Sequence, residues 1–452
     1  MDAALQALEA WSSGESKRLE RFAPVDVYGR IVGVSGILLE SCLPQAKIGD
    51  LCNVQRDDGS TVLAEIVGFS QASTLLSALG ALDGIAIGAR VTPLFRPHSI
   101  VVGDDLLGSV LDGFGRPLDG QGRGAFANPE DADNALPVIA DAPAPTERPR
   151  ISQALHTGMR AIDGLLTIGQ GQRVGLFAGA GCGKTTLLAE LARNTPCDAI
   201  VFGLIGERGR ELREFLDHEL DDELRQRTVL ICSTSDRSSM ERARAAFTAT
   251  AIAEGYRRQG KSVLLIIDSL TRFARAQREI GLASGEPPGR GGLPPSVYTL
   301  LPRLVERAGQ TNDGCITALY SVLIEQDSMN DPVADEVRSL LDGHIVLARR
   351  LAEKGHYPAV DILASLSRTM TNVVEREHVR HATMLRRLMA AYQQVEMLIK
   401  LGEYQPGNDA FTDYAVESQD TINAFLRQEM REPTPIDEVL ELLTAVTAHA
   451  PH

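Results

Sequence analysis

The sequence predicts an α/β protein: a parallel-sheet core with a small β barrel before it and a helical domain after it. Three observations predict this. Residues 173–193, RVGLFAGAGCGKTTLLAELAR, read as a strand, a glycine turn and a helix. Residues 150–372 alternate apolar strand runs with helical stretches, the pattern of a parallel sheet. Residues 21–95 instead break into short β-type runs, and residues 373–452 turn to helical periodicity.

The totals agree. A length of 452 residues exceeds one ordinary core, so two or three domains are expected. An apolar content of 44% fits a well-buried globular chain. The net charge of −15 argues against a nucleic-acid groove as the main surface. The opening MDAALQALEAW has neither the basic start nor the apolar segment of a signal peptide, and no run reaches the length of a membrane span. Cys42, Cys52, Cys182, Cys197, Cys232 and Cys315 show no paired metal-ligand spacing and read as buried, reduced thiols of a cytosolic protein.

In chain order, residues 1–20 read as a helix with Leu5, Leu8 and Trp11 on one side. It either packs on its own domain or docks to a membrane or a partner. Over 21–95, runs at 26–34, 36–40, 50–54 and 61–69, divided by Gly, Asp and Pro turns, predict a closed barrel. Nothing in it resembles a catalytic cluster, so its expected duty is structural or oligomeric. The Gly/Asp spacing of 103–120 predicts tight turns, and the proline-rich 136–149 an extended surface connector.

The core is expected over 96–372. Val174, Leu176 and Phe177 form a buried strand. Ala178 then stands where a first glycine is usual, and alanine is its smallest substitute. Gly179, Gly181 and Gly183 let the backbone curl into a nest of inward N–H groups, so the loop with Ala180, Cys182 (a small filler) and Thr186, where the helix begins, is read as nucleotide-binding. The helix that follows presents its positive end to an anion, and Leu187, Leu188 and Leu191 share its buried face. Lys184 is placed to reach the β and γ phosphates of a nucleotide, and the Thr185 hydroxyl to bind Mg²⁺. Further strands are read at 198–205, 228–232, 261–268, 315–322 and 344–347, with a helix at 240–259. Residues 285–295 are too rich in Gly and Pro for helix or ladder and form a loop that, in a ring, faces the centre. Leu385, Leu388, Tyr392, Val395 and Leu398 predict an amphipathic helix in the domain expected over 373–452. Residues 402–409 break it, and two or three further helices follow.

ATP hydrolysis needs a phosphate cradle, a magnesium site, an activated water and a cation for the transition-state charge. Asp268 closes an aliphatic run, so its carboxylate falls at the carboxyl end of a buried strand, where open α/β sheets bind ligands. There it would hold Mg²⁺ through water, or merely cap the next helix. Glu207 also lies just past a strand end. It is either the base that polarises water or a surface glutamate among Arg208, Arg210, Glu211 and Arg213. Arg208 either meets the γ phosphate or pairs with a neighbouring acid.

GERGRE at 206–211, DSLTRFAR at 268–275, GEPP at 285–288, PPSV at 294–297 and LDGHIV at 341–346 resemble the rotary-type ATPase superfamily, and within it the export ATPases of type III secretion and flagella. The resemblance covers nearly the whole chain and implies a RecA-like P-loop ATPase core. AGCGKT at 180–185, STSD at 233–236, RAQREIGL at 275–282 and MNDPVADEV at 329–337 look more like the virulence-associated (injectisome) branch than the flagellar one. GRGGL at 289–293 departs from that branch's usual loop. The resemblance implies Lys184 and Thr185 on phosphate and magnesium, Glu207 as catalytic base, and Arg208 near the phosphates. It implies Arg368 as an arginine finger reaching into the next subunit's site, Tyr357 stacked on adenine, and Phe425 closing the adenine's other side. It further implies a cytoplasmic, Mg²⁺-dependent homo-hexamer peripheral to the inner membrane. Its partners would be a central stalk, regulator or stator proteins, chaperone–substrate complexes and an export gate. The flagellar export ATPase is the nearest rival, with an ATP synthase catalytic subunit behind it. An RNA-translocating ring and a non-hydrolysing regulatory subunit are the others; the acidic balance and the lack of an aromatic and basic platform in residues 21–95 of this chain count against the first, and the presence of Lys184, Glu207, Asp268 and Arg368 together against the second.

Overall fold

A computed structural model describes residues 8, 11, 12, 14, 15, 18, 27–70, 73–118, 123–131, 133–324 and 331–451. The helix expected over 1–20 falls mostly outside them; its described positions are helical, with Leu8 and Trp11 exposed. The chain divides into two compact units, Met1–Pro97 and His98–His452.

The first unit is a closed antiparallel barrel. Its strands are β1 (Gly29–Ser35), β2 (Leu38–Ser41), β3 (Asp50–Gln55), β4 (Thr61–Ser70), β5 (Ser73–Ala78) and β6 (Arg90–Pro97), in the order β1-β2-β5-β4-β3-β6. Inward residues such as Ile31, Leu39, Val54, Ile66 and Leu76 fill it. Strands β5 and β6 were not legible as strands. β6 carries Pro93 and Pro97, which ordinarily argue against a paired strand. Here Pro93 sits opposite Cys52 next to a register shift in the β3–β6 ladder.

In the second unit a mostly parallel sheet carries the rest. Its strands are β7 (Val110–Leu111), β8 (Arg173–Ala178), β9 (Ala199–Glu207), β10 (Thr228–Thr234), β11 (Ser262–Asp268), β12 (Cys315–Leu323), β13 (Gly343–Leu347) and β14 (Leu366–Ser367). They lie in the order β14-β13-β8-β12-β11-β9-β10-β7. The central strands are apolar on both faces, as helix-covered parallel strands must be. The helices used below are α1 (Arg160–Leu165), α2 (Lys184–Asn194), α3 (Ser239–Arg258), α4 (Leu270–Ala283), α5 (Arg376–Leu401), α6 (Ala410–Glu417), α7 (Gln419–Leu426) and α8 (Ile436–Thr447). α5 to α8 share a continuous core with the sheet: Leu385, Leu388, Ile422, Phe425 and Val439 belong to the same buried cluster as Ile162, Leu165 and Leu188.

Two expectations are corrected. The connector 136–149 is not wholly superficial, because Val138 is buried and its carbonyl accepts from the buried Arg307 at 2.6 Å. None of the six cysteines forms a disulfide, but Cys42 is exposed and Cys197 only half-buried, since one follows β2 and the other precedes β9 rather than lying within a strand. Residues 285–294 form the expected loop, tightened by one 3₁₀ turn at Arg290–Gly292, but Pro295 opens a helix, Pro295–Val305, because proline is tolerated in a first helical turn. No helix among the described residues is long and apolar enough to cross a membrane.

Candidate active site

β8 delivers the chain into the glycine loop, and α2 takes it away. Ala178 is still a regular strand residue, paired with both β12 and β13, so the missing glycine removes no needed backbone freedom. Gly181 and Gly183 are different. Their φ values are 79° and 78°, and only glycine holds that left-handed region without a Cβ penalty. Gly183 is also the cap residue of α2. A Cβ there would meet the Tyr357 ring at 3.7 Å, so the tyrosine, half-exposed, lies over the loop. The Cys182 side chain is buried in the core as a filler.

The loop separates two spaces. On one side is a cleft of about 630 Å³ lined by Gly181, Gly183, Thr186, Tyr357 and Gln428 among others. On the other is a cavity of about 390 Å³ lined by Thr185, Glu207, Glu211 and Asp268 among others. Successive threonines of α2 thus face different spaces.

The second cavity concentrates charge. Glu207 ends β9 and Asp268 ends β11, both at the carboxyl edge of the sheet. The Lys184 ammonium contacts Asp268 and stands 3.8 Å from Glu207 Oε1. Asp268 is 2% exposed and accepts from the Ser321 hydroxyl at 2.6 Å. It does not cap α4; the Ser269 side chain does. Glu207 is paired with Arg272 in the first turn of α4. Burial pushes the Glu207 carboxyl above its ordinary range; Asp268 adds to this, while Arg272 and Lys184 oppose it.

Three expected residues stand elsewhere. Arg208 is 80% exposed and pairs with Glu211 at 3.3 Å; as the cap residue of the next short helix it faces solvent, which is the ordinary alternative. Phe425 does not line the cleft. It is 4% exposed, and a Cβ on Gly164 of α1 would meet its ring at 3.0 Å; residues 427–430, past the end of α7, line the cleft instead. Arg368 is exposed at the amino edge of β13, its N–H bonded to the Asp342 carbonyl at 3.0 Å. The phosphate loop leaves the carboxyl edge of the adjacent β8, so the two are about 15–20 Å apart along the strands.

Arg272 and Gln428 were missed. Arg272 had a signal: four residues past a strand-end acid, the first helical turn returns to that strand end. Gln428 had none. Its Nε2 donates to the Gly158 carbonyl at 2.7 Å, its Oε1 accepts from Arg160 N at 2.8 Å, and its N–H bonds the Tyr357 carbonyl at 3.0 Å. It thereby ties α1, the Tyr357 loop and the C-terminal helices together.

A phosphate loop on a parallel sheet, with a strand-end glutamate and aspartate about its lysine, defines a P-loop ATPase core, here combined with a six-stranded barrel and a helical end. The comparisons agree. The ATP synthase alpha/beta family nucleotide-binding domain matches residues 158–367, that family's beta-barrel domain matches 31–94, and the T3SS EscN ATPase C-terminal domain matches 374–445. The Type 3 secretion system ATPase of Pseudomonas syringae pv. syringae is 68% identical over 98% of this chain and 99% of its own. The Flagellum-specific ATP synthase of Pseudomonas aeruginosa is 48% identical over 93% of each. Among solved structures, the assembled ATPase EscN from the enteropathogenic E. coli type III secretion system superposes with a TM-score of 0.86 at 45% identity, over 93% of this chain and 100% of that one. EscN in complex with its central stalk EscO gives 0.84 at 44%, with the same coverage. The chain belongs to the type 3 secretion system ATPases.

Proposed function

We propose that the chain is a Mg²⁺-dependent homo-hexameric ATPase whose sites are completed between subunits. The observation that carries this is the placement of Lys184, Glu207, Asp268 and Thr185 around one cavity, with Arg368 at the far edge of the sheet. ATP lies across the phosphate loop, its phosphates on the N–H groups of residues 179–186 and its purine toward Tyr357. Lys184 exchanges its two carboxylate partners for the β and γ phosphates. Glu207 holds the attacking water and takes its proton. Arg272 keeps Glu207 ionised and aimed. Arg368 serves the neighbouring subunit, where a fixed, always charged fork stabilises the transferring phosphoryl group.

The donor set fits magnesium: a hydroxyl and a carboxylate, both hard oxygens, line one cavity. Thr185 and Asp268 would hold the ion, which when bound neutralises charge between the β and γ phosphates.

EscN assembles and takes a central stalk, and the similarity of this chain to it over nearly all its length supports the same arrangement here. In that arrangement the barrel joins subunits and the helical end faces the stalk and chaperone–substrate complexes, with regulator or stator proteins and an export gate as further partners. The protein then acts in the cytoplasm, peripheral to the inner membrane, energising chaperone release and substrate unfolding. The identities, 68% against 48%, favour the secretion role over flagellar export.

The test is specific ATPase activity against protein concentration, with and without Mg²⁺. A steep rise per subunit, only with Mg²⁺, is expected. Full activity of a species that sizes as a monomer would refute sites shared between subunits.

A further inference from the structure

One carboxylate of the nucleotide cleft has no part in the chemistry above. Glu190 stands on α2, six residues beyond Lys184, is 4% exposed and lines the cleft. Its Oε2 accepts from the backbone N–H of Arg431 at 2.9 Å. Its Oε1 is paired with Arg193, one turn along the helix. Arg193 in turn donates to Asp221 at 3.1 Å and to the Glu219 carbonyl at 2.9 Å.

Arg431 sits in a turn whose backbone resists its own shape. Its φ is 61°, a left-handed value that a non-glycine residue holds only when its surroundings impose it. Three bonds hold it: the Glu190 carboxylate on its N–H, the His218 carbonyl on its guanidinium at 3.2 Å, and, across the turn, Gln428 Nε2 on the Glu432 carbonyl at 2.8 Å. The flanking Glu429, Met430 and Glu432 line the cleft, as Tyr357 does. His218 and Glu219 form part of the second cavity. A single carboxylate on the phosphate-loop helix is therefore tied through Arg431 to the segment that lines the cleft and through Arg193 to Glu219 of the second cavity.

We propose that Glu190 is a positioning residue for purine recognition: it fixes the 429–432 wall against the phosphate-loop helix, so that a purine ring finds its slot already formed. The proposal rests on the assignment of the cleft to ATP. An acceptor oxygen on the phosphate-loop helix suits the task, because it satisfies the Arg431 N–H and holds the turn against that helix. A preformed wall also removes an ordering cost from nucleotide binding.

The test separates the purine from the phosphates. For Glu190→Ala, the KM for ATP is expected to rise about tenfold, as losing one charge-assisted bond allows, with kcat changed less than twofold. The inhibition constant of inorganic tripolyphosphate, which has no purine, should stay within twofold of wild type. Glu190→Gln keeps an acceptor oxygen and should recover most of the KM. An equal loss of ATP and tripolyphosphate affinity would overturn the proposal, since it would mean that Glu190 only stabilises α2. An unchanged KM in Glu190→Ala would overturn it too, as would failure of Gln to rescue. If wild type itself shows no saturable ATP hydrolysis, the reading of the cleft fails instead, whatever the variants do.

Discussion

Replacing Arg272 by alanine isolates how the candidate base is kept ionised. Glu207 is largely buried, and burial together with Asp268 already raises its carboxyl above the ordinary range. Arg272 and Lys184 hold that rise in check. Arg272 is 24% exposed, so its pair with Glu207 is only partly screened by water. A hydrogen bond to a charged group contributes about 1.5–3 kcal/mol. Its loss removes the main group that lowers the Glu207 carboxyl, which should therefore rise further above its ordinary range. The sign follows directly. A base must be ionised to act, so activity falls as pH drops through its pKa, and a higher pKa moves that acid limb upward. The assay is kcat/KM for ATP against pH in wild type and Arg272→Ala. Arg272→Lys should lie between them, keeping charge but losing the fork. If the acid limb of Arg272→Ala coincides with wild type while Glu207→Gln is inactive, Arg272 does not tune the base and the electrostatic reasoning fails.

Three further outcomes are expected. Glu207→Gln should bind ATP in the presence of Mg²⁺ and hydrolyse it at least about a hundredfold more slowly, as loss of a general base does; near-normal turnover would remove Glu207 from the chemistry. Arg368→Ala should fold and assemble but lose about a thousandfold in kcat, and mixing it with Glu207→Gln should restore turnover, since sites between the two types can pair an intact base with an intact finger; no recovery on mixing would count against sites shared between subunits. Glu254→Ala should cost about 3–5 kcal/mol in chemical denaturation, because it strands the fully buried Arg307, whose guanidinium otherwise holds Glu254 at 3.0 and 2.5 Å. A loss below about 1 kcal/mol would mean that the pair is solvated like a surface one.

Much of this site was legible because its determinants are local. A glycine loop between a strand and a helix states its own geometry, and an acid that ends an aliphatic run must lie at a strand end. That is why Lys184, Thr185, Glu207 and Asp268 could be placed on one edge of the sheet before any contact was known. Arg208 and Phe425 show the opposite case. Both stand beside informative motifs, yet a helix cap turned one to solvent and α1 drew the other into the core. The proline-bearing strand β6 was hidden because what permits it, its place beside a register shift in the barrel, is not a property of its own sequence.

The sequence by itself determined the order of domains and of the central core strands, the phosphate cradle and the two strand-end carboxylates, since each depends on residues within a few positions of one another. Only the tertiary structure decided what surrounds them. It brought Arg272 onto Glu207, laid Tyr357 over the loop, and bonded Gln428 and Glu190 to segments some 240–270 residues distant in sequence. It also set Arg368 at the sheet edge opposite its own phosphate loop. Such contacts come from strand order and helix packing, which sum many weak apolar contacts over the whole core, and no single stretch of chain records that sum.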